Sequence, residues 1–166
     1  MHNRRTSTRL AFALSVLFAG SLRAQQSATV SVTGSVTQPL TLTAADLGTL
    51  PRATASVSGN GITTTYEGVW VSDVLKKAGV AMGSALRGAS LSTYVVAAAS
   101  DGYQVLFSIA ELDPEMTEGK VLLADKANGQ PLYGEQGSFR LVTPNDKRGA
   151  RGIRMLTSLN VVQLKK

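Results

Sequence analysis

The chain has 166 residues, one histidine, no cysteine and a formal net charge of +6. The histidine is His2, and four of the basic residues, Arg4, Arg5, Arg9 and Arg23, lie in the first 24 positions. The remainder therefore excludes disulfides, Cys/His zinc sites, thiolate metal ligands, Ser-His-Asp or Cys-His nucleophiles and a histidine general base.

Residues 1–24 read as a secretory signal peptide, with a basic start, a 13-residue apolar run from Leu10 to Leu22, and Ala24 before Gln25-Gln26. That run is shorter than the ~20 residues a membrane-spanning helix needs. Ser7 and Thr8 stand where a twin-arginine signal at Arg4-Arg5 would carry apolar residues, which favours export in the unfolded state. Removal leaves 142 residues with 13 Lys+Arg against 11 Asp+Glu, a net charge of +2. The expected location is periplasmic or secreted, with no membrane partner after cleavage. Nucleic acid is a poor partner for so small a charge. Residues 25–166 are expected to form one domain, since a chain of ~140 residues buries roughly two-thirds of its surface in a single core.

Along the body of the chain, Ala28–Thr33 alternates as a half-buried strand does, and Leu40–Leu42 resumes the pattern after Pro39. Thr43-Ala44-Ala45-Asp46 carries the capping pattern of a short helix that Pro51 limits. Arg52–Val57 and Ile62–Glu67 read as strands joined through Ser58-Gly59-Asn60-Gly61, a tight-turn sequence. Ser72–Ala78 reads as a helix, acidic early and basic late, stopped by Gly79. Leu91–Ala99 and Tyr103–Phe107 form the clearest hairpin, around Ser100-Asp101-Gly102. Ser108-Ile109-Ala110-Glu111 is a capping box for a helix closed by Pro114. Val121–Ala124, Phe139–Val142 and Met155–Val162 add three strands. The fold class is α+β, β-rich, built from short strands with a few short helices.

The densest charge feature is Lys147-Arg148-Gly149-Ala150-Arg151-Gly152-Ile153-Arg154, four cations and two glycines in eight residues. Backbone N–H groups freed by glycine, together with arginine forks, suit an oxyanion, while a solvated loop is the plainer alternative. Arg140 lies inside the apolar strand Ser138–Val142, where it could bind an anion or pair with a carboxylate such as Glu135. Glu111, Asp113, Glu115 and Glu118 lack the spacing of a calcium loop and read as a solvated helix end. Asp101-Gly102-Tyr103 reads as a turn, and Tyr66 and Trp70 as core residues. No residue pattern by itself points to catalysis.

Several segments, taken in order, resemble one family. They are Thr65-Tyr66-Glu67-Gly68-Val69-Trp70-Val71-Ser72-Asp73-Val74-Leu75 with Gly79, Ser100-Asp101-Gly102-Tyr103, Leu122-Leu123-Ala124-Asp125, Gly129-Gln130-Pro131-Leu132, and Gly137–Pro144 with Lys147 and Arg148. Over roughly residues 30–163 this order is similar to the molybdopterin-binding domain of sulfite-oxidase-like oxidoreductases, in its small stand-alone bacterial form. The resemblance implies a mixed fold, a molybdopterin cofactor and an oxidoreductase role, with a redox partner protein. It implies cofactor contacts at Asn60, Asp101, Tyr103, Arg140, Lys147, Arg148, Arg151 and Arg154, the last five at the end that takes the pterin phosphate. In the larger relatives a cysteine before residues similar to Ser58-Gly59-Asn60 holds the metal. Val57 stands there, and the family's cofactor-holding histidines are missing as well. The expectation is a binding or accessory module for a small anion or pterin, with no catalytic or metal-ligating residue assigned. Two rivals stand beside it: an oxidoreductase using an oxygen ligand such as Ser56 or Ser58, or a partner subunit, and a structural protein with a relic pocket.

Overall fold

The computed structural model describes residues 28–118 and 120–165; the expected signal peptide lies outside them. Among the described residues, ten short strands form two five-stranded sheets. In the first sheet the strands are β1 (Val30–Gly34), β2 (Leu40–Leu42), β5 (Thr93–Ala99), β6 (Gln104–Ser108) and β10 (Leu156–Gln163), in the order β2-β1-β10-β5-β6. Its single parallel pairing, β1 with β10, joins the two ends of the described chain. The second sheet runs β3 (Ala53–Gly59), β4 (Ile62–Trp70), β7 (Leu122–Ala127), with β8 (Gln130–Pro131) and β9 (Arg140–Val142) both pairing to β7. Three short helices connect them: α1 (Ala44–Leu47), α2 (Val71–Lys77) and α3 (Ile109–Leu112).

Local chemistry accounts for most of these elements. In β5 every second residue is buried, as a strand with one face on the core requires. The Thr43/Asp46 and Ser108/Glu111 capping boxes both form, each satisfying backbone donors that a helix start leaves free. At the β3–β4 hairpin, Asn60 (φ 51°) and Gly61 (φ 76°) both take the left-handed conformation of a tight hairpin turn. Gly68 of β4 lies where a Cβ would come within 2.0 Å of the Leu123 carbonyl oxygen of β7, so no side chain fits.

Alternation along the strands divides the interior in two. The main core lies between the sheets, where Val95, Leu159 and Phe107 meet Val69, Leu123, Leu141 and the Leu75 face of α2. A smaller cluster, Ala55, Tyr66, Leu122, Ala124, Leu132 and Val142, occupies the opposite face of the second sheet. The acidic stretch after α3 departs from the expected solvated helix end. Asp113 is fully buried, and its carboxylate accepts the N–H of Gly83 and, at 2.8 Å, that of Glu115. The turn after α3 folds back on Gly83, and the carboxylate satisfies the Gly83 donor, which would otherwise be buried unpaired.

Candidate anion site

β9 pairs with β7 so that Arg140 stands opposite Ala124 and Leu141 opposite Leu123. Leu141 and Val142 are buried in the main core and the smaller cluster respectively, so strand alternation puts Arg140 on the smaller cluster's side. Its guanidinium carbon lies 4.6 Å from the Tyr66 ring centroid. Nη1 donates to the Tyr66 hydroxyl at 2.9 Å and to the Gln136 side-chain oxygen. Nε is buried and has no partner among the described residues. The alternative, pairing with a carboxylate such as Glu135, does not occur among the described residues. Glu135, in the 134–136 turn, is almost fully exposed and approaches Arg154 instead, at 3.6 Å. Burial pushes the Arg140 guanidinium below its ordinary value, Tyr66 raises it in part, and the like charge of Arg154 lowers it further. The group stays protonated, because arginine does not release its proton in proteins. A half-buried cation with no carboxylate partner among the described residues, its Nη2 beside the cleft-lining Gly152, can accept an oxyanion there.

Beside it lies a cleft of about 280 Å³ lined by Asp101, Tyr103, Gly149, Ala150, Gly152, Ile153 and Arg154. Arg140 reaches it at Gly152, where a Cβ would stand 3.5 Å from Arg140 Nη2. The Tyr103 hydroxyl donates to the Ala150 carbonyl at 2.9 Å and ties the β5–β6 turn to the basic segment. Asp101 accepts the Tyr103 N–H at 3.0 Å, closing that turn. Three segments meet at Met155, a non-glycine residue at φ 51°. Its N–H donates to Gln136 O at 2.8 Å, and its carbonyl accepts the Ser100 N–H at 3.0 Å. Met155 thereby fixes the strand start that carries Arg154.

The structure therefore joins Arg140, Arg154, Asp101 and Tyr103 and separates the other expected residues. Arg151 is locked elsewhere. It forks onto Asp146 (2.8 and 2.7 Å), reaches Glu111 at 2.7 Å and covers the Phe107 ring. These bonds raise its own affinity for the proton, so it acts as a structural clamp. Lys147 and Arg148 are exposed on the approach to the cleft and do not line it. Asn60, at the far tip of the β3–β4 hairpin, is eight residues from Gly68, whose register Arg140 shares through Ala124. At ~3.4 Å per residue that is roughly 27 Å along the strand. Tyr66, Gln136 and Met155 escape the sequence reading as site residues. Only the β4–β7–β9 register, which the sequence does not state, brings Tyr66 against Arg140.

A family model described as the oxidoreductase molybdopterin binding domain matches residues 19–166. The chain belongs to that family. A solved structure similar to this domain is the sulfane dehydrogenase SoxCD from Paracoccus pantotrophus, with a TM-score of 0.63 and 23% identity. The likeness covers 81% of this chain and 38% of that one, so the domain spans well under half the length of that relative, and the likeness shows the fold. None of the curated proteins matches.

The domain's residues fit one part of the family's cofactor and not the other. The unpaired Arg140 donor suits an anionic group. At Val57, where the family resemblance implies a metal-holding cysteine, the side chain is half-buried, packs against the Ala55–Tyr66–Leu132 cluster and offers only hydrocarbon. Ser56 and Ser58, the alternative oxygen ligands, lie on the opposite face of β3, bonded to Thr65 at 3.0 Å and Thr63 at 2.8 Å. Among the described residues no group of three or more His, Cys, Asp or Glu side chains could hold a metal ion. These residues do not supply molybdenum's usual ligand.

Proposed function

We propose that this chain is an exported binding or accessory member of the molybdopterin-binding domain family, taking a small oxyanion or the anionic end of a pterin at Arg140 and Arg154. The observation that carries this reading is the half-buried Arg140 guanidinium, which has no carboxylate partner among the described residues and sets its Nη2 beside Gly152 of the cleft. A tetrahedral oxyanion offers several acceptors to such a fork, and Arg154 adds a second positive charge from the cleft wall. Tyr66 and Gln136 hold the guanidinium plane, so little side-chain entropy is lost on binding. Asp101 on the same cleft disfavours a highly charged ligand and favours one that also brings a donor, such as a phosphate monoester or a pterin phosphate. With Val57 in place of the thiolate, the reading assigns no molybdenum redox step to these residues.

Titration calorimetry of the purified protein with inorganic phosphate and sulfate tests it. Saturable one-to-one binding, weakened in Arg140→Ala and Arg154→Ala and kept in Lys147→Ala, is the expected result. Binding indifferent to Arg140 would contradict it. Export is tested by N-terminal sequencing of the protein recovered from its compartment, with cleavage near Ala24 expected.

A further inference from the structure

A protein with open sheets must stop its edge strands from pairing with other chains. Most edges here are short or flanked. β2 has three residues and follows Pro39; β8 has two and contains Pro131. The outer side of β9 is taken, because the Leu141 N–H donates to Ile153 O at 2.7 Å. β6 is flanked by the basic segment, which reaches it through Tyr103–Ala150 and Arg151 over Phe107. β3 differs. It runs seven residues, and no charged residue occurs between Arg52 and Glu67. Arg52 itself is occupied, held by Asp125 at 2.9 Å. No proline, lysine or bulge interrupts the strand.

The hydrogen bonding states which groups this edge presents. The Thr65 N–H donates to Asn128 Oδ1 at 3.0 Å, and the Thr65 carbonyl accepts the Asn128 N–H at 2.8 Å. Both Thr65 backbone groups thus point toward β7. In the antiparallel β3–β4 pair Ser56 stands opposite Thr65, so this is a non-hydrogen-bonded pair, and the Ser56 backbone groups point outward. By the same alternation, so do those of Thr54 and Ser58. We infer that β3 pairs antiparallel with β3 of a second copy, about a two-fold axis at Ser56, making one continuous sheet across two chains.

The side chains favour a second copy over an extended peptide. Ala, Thr, Ser, Val and Gly offer no pocket with which to choose a foreign sequence. Paired with itself, the strand brings like against like. Ser56 meets Ser56 and Thr54 meets Ser58, extending the hydroxyl rows already formed with Thr65 and Thr63. On the other face Ala55 meets Val57, so the smaller apolar cluster continues across the axis. Thr54, Ser56 and Ser58 of both copies would exchange ~six backbone hydrogen bonds. A register slipped by one residue would put hydroxyls on the apolar face, which selects registers of this parity.

The test uses sedimentation equilibrium and a single introduced thiol. The wild-type chain is expected to dimerise reversibly. Ser56→Lys sets two ammonium groups across the axis and weakens dimerisation at least about fivefold, whereas Thr65→Lys, one strand in, leaves it intact. Because the chain has no cysteine, Ser56→Cys supplies the one thiol. Directly opposed Cα atoms at about 5.5 Å lie within disulfide reach, so mild oxidation gives a covalent dimer. Thr65→Cys, about 14 Å from its mate across three strand spacings, stays uncrosslinked. A monomer at every concentration, a dimer indifferent to Ser56→Lys, or equal crosslinking at both positions overturns the inference.

Discussion

Arg140 and Arg151 lie eleven positions apart, the first in an apolar strand and the second in the basic run, and their surroundings give them opposite work. Arg151 spends its donors on two carboxylates, and Arg140 has none beside it. Arg140→Ala removes the charge-assisted bonds to an oxyanion and should weaken phosphate or sulfate binding about 10- to 100-fold by calorimetry. Arg140→Lys should restore only part of it, because an ammonium lacks the planar fork that lies on Tyr66. Arg151→Ala should leave anion binding near wild type and lower stability by about 1 kcal/mol in urea unfolding, since its partners are partly exposed. Acid behaviour follows from the same clamp. The Arg151 bonds hold Asp146 below its ordinary value against burial; burial raises Glu111, but bonds from Arg151 and Ser108 outweigh it. Groups depressed in the folded state stabilise it above their unfolded pKa, and that contribution is lost as pH falls through the folded values. Stability should therefore drop below about pH 4, and Arg151→Ala should flatten that drop in urea midpoints measured across the range.

Elements were the most legible scale, because each is decided by a few neighbouring residues. Thr43-Ala44-Ala45-Asp46, Ser108–Glu111 and the Asn60-Gly61 turn carry their own hydrogen-bonding logic and occur as read. Leu91 and Ser92, read as the start of a strand, instead close a 3-10 turn at Gly88–Ser92 before β5 begins. Register between distant strands is not written locally. This is why the contact of Tyr66, a core residue as read, with Arg140 was not foreseen, and why Asp113 read as solvated. Gly68 expresses such a long-range constraint, since β7 passes directly over it. Gly68→Ala should cost more than about 2 kcal/mol or prevent folding, measured by thermal melting, because backbone must move to admit the methyl group. The neighbouring exposed change Thr65→Ala should cost under about 1 kcal/mol, limited to the loss of its bond to Ser56.

On the scale of the whole molecule, two faces of one sheet have separate duties. The inner face seals the main core, and the outer carries Val57 and the small cluster along to Arg140. The fold of the molybdopterin-binding domain is kept, and at Val57, where the family resemblance implies the metal-holding cysteine, the side chain is hydrocarbon. The absence of cysteine, and of any histidine beyond His2, was legible in the composition, and it bears on the metal and on the cofactor-holding histidines of the family resemblance. The anion end depends on three segments meeting at Met155, which composition does not reveal. Native mass spectrometry with metal analysis, on protein recovered from its own compartment, tests both ends together. The account predicts molybdenum far below one per chain and a small oxyanion or pterin-derived adduct that Arg140→Ala loses; one molybdenum per chain, retained in Arg140→Ala, would contradict it.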